Sequence, residues 1–165
     1  MHFRAAHTFA LPLAEYEKLH FDEDFNTALC KATGLQRTLI ERTVDAGKLR
    51  RAVKVSPDRQ IPGPVAKVLG GARIEYTEHV DYTFGSGRGT WRTISSLLTD
   101  KVKSQGTLQF TERGGQTERV IEGDVVVKIM LVGGTVEKFV VDDVRASYDR
   151  AAEFTRNWIR TGGKA

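Results

Sequence analysis

Cysteine is almost missing from this chain: Cys30 is the only one in 165 residues, so neither an internal disulfide nor a paired-cysteine metal site can form. A reducing, cytoplasmic setting fits that usage, and Cys30 itself falls at an apolar phase of an expected helix, as a small buried hydrophobe. Long apolar runs are missing too. None approaches the ~20 residues of a membrane span. Near the N-terminus, His7, Thr8 and Pro12 break the apolar character and Arg4 is the lone basic residue, so the continuous apolar core of a signal peptide is not found. Neither a Gly-x-Ser-x-Gly elbow nor a His-Glu-x-x-His pair occurs, which removes two motif-bearing hydrolase classes. The formal charge of +4 is modest and spread along the chain, and it decides little about partners.

What is present is ordinary for a soluble globular protein: 40% apolar and 28% charged residues. A chain of 165 residues reads as one domain spanning 1–165 and buries roughly 70% of the surface its unfolded form exposes. The strongest periodic signal runs from Val136 to Arg160. Val136, Phe139, Val140, Val144, Ser147, Tyr148, Ala151, Phe154 and Trp158 recur at three-and-four spacing, which predicts one long amphipathic helix. Its apolar stripe requires a partner surface.

That surface comes from the segments before it. Phe3 to Leu11 predicts a strand with Phe3, Ala5, His7 and Phe9 on one face, stopped by Pro12. Two short helices follow, Leu13 to Leu19 and Asp22 to Ala32. Asp22, Glu23 and Asp24 sit at the positive end of the second and Gly34 closes it, so these acids beside His20 read as capping groups rather than metal ligands. Gln36 to Val44 and Leu49 to Val55 predict a hairpin turned by Asp45, Ala46 and Gly47. Ser56 to Arg73 is a long connection with a short helix over Val65 to Leu69. Alternation from Ile74 to Phe84 is the cleanest in the chain, and further strands follow over Thr90 to Leu98, Val102 to Glu112 and Gln116 to Lys128. The glycine-rich Gly85 to Gly89 joins two strands, whereas phosphate-cradling loops join a strand to a helix, so it reads as a turn.

The resulting order is α+β: a strand, two short helices, six strands and a long C-terminal helix. It resembles the helix-grip fold of the START-like (SRPBCC) superfamily, a curved antiparallel sheet of about seven strands gripping the last helix. The stretch Val127 to Glu137, followed by a helix ending Ala152-Glu153-Phe154-Thr155-Arg156-Asn157-Trp158, is similar to the strand-to-helix junction of a bacterial domain-of-unknown-function family in that superfamily. Met130 stands where that family has proline, and Phe21 to Phe25 departs from its pattern, which marks a divergent branch. The resemblance implies a cavity between sheet and helix that holds a lipid, a sterol-like or a polyketide-like molecule. It carries over no catalytic residue.

In the expected register the cavity-facing set is Phe9, Arg51, Val53, Tyr76, Glu78, Tyr82, Trp91, Leu108, Phe110, Val125, Phe139, Val140 and Tyr148. Polar groups on apolar faces, His7, Glu41, Arg51 and Glu78, must pair, shift their pKa or meet a cavity. Arg51 with Glu78 is the expected pair, as a structural ion pair, a ligand-orienting pair or an acid/base pair. Three functions stand open: carriage of a hydrophobic small molecule, a cyclase- or hydrolase-type enzyme in the same cavity, and a protein-interaction module with a closed core. No cofactor, metal or nucleic acid is expected. Ser56 to Gly71 is an expected entrance flap, and the stripe Lys48, Arg50 and Lys54 offers a transient contact to anionic headgroups at a membrane surface.

Overall fold

The computed structural model describes residues 1–58, 63–68, 73–96 and 99–163. The elements run β1 (His2–Phe9), α1 (Leu13–His20), α2 (Glu23–Thr33), β2 (Leu35–Asp45), β3 (Lys48–Pro57), α3 (Gly63–Val68), β4 (Tyr76–Thr83), β5 (Arg88–Ser95), β6 (Val102–Arg113), β7 (Gln116–Val127) and α4 (Gly133–Thr161). One seven-stranded antiparallel sheet has the order β1-β7-β6-β5-β4-β3-β2. This is the helix-grip arrangement.

Local signals explain most boundaries. The Asp22 carboxylate accepts from the Phe25 amide at 2.7 Å and caps α2, and Gly34 ends it in the left-handed region at φ 70°. Ala46 (φ 45°) and Gly47 (φ 77°) turn the β2–β3 hairpin with both central residues at positive φ, as a primed turn requires. β1 stops at Phe9 rather than Leu11 because Phe9 pairs with Thr117, at the start of β7, and the ladder has no further partner. α4 begins at Gly133, earlier than the apolar period shows. A Cβ there would stand 2.5 Å from the Val127 carbonyl oxygen, so the glycine's value lies in close approach and leaves no hydrophobic mark. Glu137, one turn into the helix, accepts from the Val127 amide at 2.8 Å and ties the junction shut.

Side-chain parity lays residues in rows across the concave face. Arg51, Val80, Trp91, Gly106, Gly123 and Phe3 are successive cross-strand partners, as are Val53, Glu78, Thr93, Ser104 and Val125. The first row contains two glycines: a Cβ on Gly123 would meet the Trp91 ring at 2.5 Å, and one on Gly106 would stand 1.9 Å from the Glu122 carbonyl oxygen. Trp91 therefore reaches over Gly123 and touches Phe3, with ring centroids 5.7 Å apart.

The deepest burial on α4 falls beside the expected stripe, on residues that the stripe did not include. Val141, Ala152 and Thr155 are the helix's most deeply buried side chains, on the side packed against β1 and β7, while Phe139, Val140, Val144, Ser147, Tyr148 and Ala151 are half-buried. Phe154 and Trp158 pack on Phe25 of α2. Glu41 corrects an expectation: it is exposed, because the β2 register shifts between Leu39 and Glu41 and this half of the edge strand lies open, with Ile40 and Val44 exposed too.

Candidate ligand cavity

Between the sheet, α2 and α4 lies a cavity of about 300 Å³. The half-buried residues of α4 form its roof and the Trp91 and Glu78 rows its floor. Left dry, such a void costs on the order of 7 kcal/mol at about 24 cal/mol per Å³, comparable with a domain's whole stability of ~5–15 kcal/mol. A larger hollow of about 750 Å³ at the hairpin end is bordered by exposed Asp45, Lys48, Arg50 and Arg88 and lies on the surface.

Of the residues expected to face a cavity, Arg51, Val53, Tyr76, Glu78, Trp91, Leu108, Val125, Phe139, Val140 and Tyr148 line this one. Phe9, Tyr82 and Phe110 do not. They belong to an aromatic cluster under α1, where Tyr16 stacks on Phe9 (4.8 Å between centroids) and meets Phe110 edge-on (5.0 Å), and Phe21 meets Tyr82 (4.7 Å). α1 fills that end of the grip. Parity along a strand predicts the face of a residue but not which cross-chain element covers it.

The packed end is also polar-satisfied. Glu17 is buried, and its carboxylate accepts from the Tyr82 hydroxyl at 2.6 Å and from the Gly85 amide at 2.9 Å. The glycine-rich turn thus presents its amide to a side-chain carboxylate. Burial and this carboxylate push the Tyr82 pKa far up, so the phenol stays protonated and remains the donor.

The cavity end differs. Arg51 Nη2 reaches Glu78 Oε1 only at 3.4 Å, with the Arg51 side chain 7% exposed and that of Glu78 29%. Among the described residues, Arg51 Nε and Nη1 have no hydrogen-bond partner. Burial lowers the Arg51 pKa and Glu78 opposes that shift, and a guanidinium remains charged at neutral pH. Arg119 enters from β7 and is 3% exposed; its Nη2 donates to His7 Nδ1 at 3.2 Å while Nε has no partner among the described residues. Since His7 Nδ1 accepts, Nε2 carries the ring proton and donates to Asp149 Oδ1 at 2.8 Å. Burial lowers the pKa of this imidazole, in keeping with the neutral tautomer. Arg37, on β2, pairs with Glu23 at 2.6 Å and leaves Nη2 without a partner among the described residues. His20 is held well below the ordinary imidazole range, first by burial and then by Arg119 and Arg51. Burial raises the Tyr148 pKa, so its hydroxyl is protonated.

Arg37, Arg119 and His20 were not among the expected site residues. The signal existed for Arg119, which shares strand parity with Thr117, Ile121, Gly123 and Val125, and for Arg37, which shares it with Leu35 and Leu39. A charge interrupting an inward face was the rule that singled out Arg51. His20 closes a short helix whose inward side only tertiary packing defines. The expected entrance flap falls in part on 59–62 and 69–71 and the end of the expected fifth strand on 97–98, outside the described residues.

With this geometry in place, comparison with known families is decisive. A family model described as a protein of unknown function, DUF2505, matches residues 4–159. The chain belongs to that family. Comparison with curated proteins finds no match. Among solved structures, this DUF2505 protein is similar to TTHA0849 from Thermus thermophilus, at 14% identity and a TM-score of 0.71 over 99% of this chain and 100% of that one. It is similar to the Zhui aromatase/cyclase from Streptomyces sp. R1128 at 14% identity and TM-score 0.60, covering 99% and 93% of the two chains. A START superfamily protein from Mycobacterium smegmatis matches at 14% identity and TM-score 0.57, covering 97% of each. These likenesses show a shared fold, the helix-grip arrangement of sheet and long C-terminal helix. Among the described residues no helix is long and apolar enough to cross a membrane.

Proposed function

We propose that this protein binds and carries a hydrophobic small molecule in the cavity between its sheet and α4. One observation carries this reading: a void of about 300 Å³ persists inside the grip, walled largely by Val53, Trp91, Leu108, Val125, Phe139 and Val140. An apolar void of that size is expensive unless something fills it. The volume stands at the lower limit of ligand pockets, ~300–1,000 Å³, which favours a compact single-chain lipid or polyketide-like molecule over a two-chain lipid. The same void weighs against an interaction module with a closed core.

Mass spectrometry of an organic extract from the purified protein, beside an equally purified unrelated control, tests the reading. A stoichiometric, enriched apolar compound is the expected result. Recovery of the same compounds from both, together with no binding of any apolar probe, overturns it.

A second reading, a cyclase-type enzyme in the same cavity, draws support from the neutral His20 beside Arg51 and the Arg51–Glu78 pair, which together place proton acceptors within an apolar enclosure. Glu78→Gln separates the two. Carriage survives that substitution, whereas loss of turnover with retained binding marks catalysis.

A further inference from the structure

Arginine is the side chain that cannot escape burial by losing its proton, and an uncompensated buried cation is among the costliest features a fold can hold. Among the described residues the cavity is lined by Arg37, Arg51 and Arg119, and each keeps at least one buried N–H without a partner. Their charge balance is uneven. Arg37 has Glu23 at 2.6 Å and Arg51 has Glu78 at 3.4 Å. Arg119 has no carboxylate within ion-pair distance among the described residues.

Its surroundings make that lack plain. The Arg119 guanidinium lies 5.1 Å from the Phe9 ring centre and 5.5 Å from that of Tyr148, donates to His7, and adjoins the Tyr16 hydroxyl. His7 does pass a hydrogen bond on to Asp149, but that carboxylate is 75% exposed and one imidazole removed. Neutral rings and a neutral imidazole solvate the cation without cancelling it. Arg51 and His20 line the same cavity as Arg119, and burial, then the two guanidinium groups, hold the His20 imidazole well below its ordinary range.

Resting on the reading that the cavity holds a ligand, we propose that the ligand is an amphipathic acid, its carboxylate seated between Arg119 and Arg51 and its apolar body under Phe139 and Val140. The carboxylate supplies the counter-charge that Arg119 lacks and accepts from the unpartnered N–H groups of both arginines. Glu78, held only loosely to Arg51, is the internal group that the incoming carboxylate displaces from that guanidinium. Charge-assisted hydrogen bonds in a dry site are worth about 1.5–3 kcal/mol each, so one such bond discriminates about ten- to hundred-fold.

The test uses the full-length protein and a matched set of probes, dodecanoate, methyl dodecanoate and dodecanol, titrated calorimetrically at constant ionic strength. Dodecanoate is expected to bind at least about tenfold more tightly than its ester or alcohol. Arg119→Gln is expected to abolish that preference while leaving ester binding in place, and Arg119→Lys to restore part of it. Equal affinity for all three probes in the unaltered protein overturns the inference and leaves the cavity reading standing. Binding of none of them overturns both. Because the unaltered protein alone decides between these outcomes, the test survives a variant that fails to fold. A preference that persists undiminished in a folded Arg119→Gln protein also counts against the proposal.

Discussion

The two ends of the grip are built from the same strands and solve the same problem in opposite ways. Under α1, aromatic side chains interlock and the buried carboxylate of Glu17 receives the Tyr82 hydroxyl and the Gly85 amide. Under α4, farther along the same strands, the floor carries Arg51, Glu78, Thr93 and Ser104 around a void, and guanidinium N–H groups go unpartnered. Burial of polar groups alone therefore says little about function. What separates a structural polar group from a binding one is whether its hydrogen-bonding capacity is already spent inside the fold.

Substitutions at the two ends test this contrast. Phe21→Ala, in the packed end, should cost about 3–5 kcal/mol of stability in urea unfolding, whereas Val140→Ala, at the cavity wall, should cost about 1 kcal/mol because it enlarges a space that already exists. Equal losses would mean that both ends are packed alike. Glu17→Ala should cost about 2–4 kcal/mol, since it strands the buried Tyr82 hydroxyl and the part-buried Gly85 amide, and Glu78→Gln less, about 1–2 kcal/mol, since it removes the counter-charge of Arg51 from a partly exposed position and leaves an amide oxygen to accept.

The pH response gives the next largest effect. His20 and His7 both have pKa values lowered from 6.5 in the folded chain, so the unfolded chain takes up protons first. Stability is then full above the unfolded pKa and falls as pH drops below about 6.5, by at most about 1.4 kcal/mol per pH unit for each histidine. Thermal unfolding between pH 7.5 and 5 should show this fall, and His20→Asn should flatten it. An unchanged slope in that variant would move the effect to other groups. The smallest effect expected is a gain: Ala151→Leu projects into the cavity, should raise the stability of the ligand-free protein by about 1 kcal/mol, and should reduce retention of apolar compounds measured by extraction.

Most of the fold was legible because its signals are local. The Asp22 cap, the Gly34 stop, the Asp45–Gly47 turn and the Ile74 to Phe84 alternation each depend on a few neighbouring residues and on backbone sterics that hold anywhere. The site was legible only halfway. Arg51 and Glu78 stood out as charges on an apolar face, and Arg119 carried the same mark on β7. Glu41 carried it falsely, since a register shift on an edge strand returned it to solvent.

The order and kind of the elements, and the inward face of the inner strands, follow from the chain's local patterns, because periodicity and turn chemistry act over a few residues. Which inward residues became core and which became cavity wall was settled by tertiary packing. That choice separates Phe9, Tyr82 and Phe110 from Arg51, Glu78 and Tyr148, and it follows from where α1 and α4 come to rest on the sheet. Those helices meet strands far away in the chain, so the surface that covers a side chain, and the partner it finds or lacks, is a property of long-range packing that no local pattern encodes.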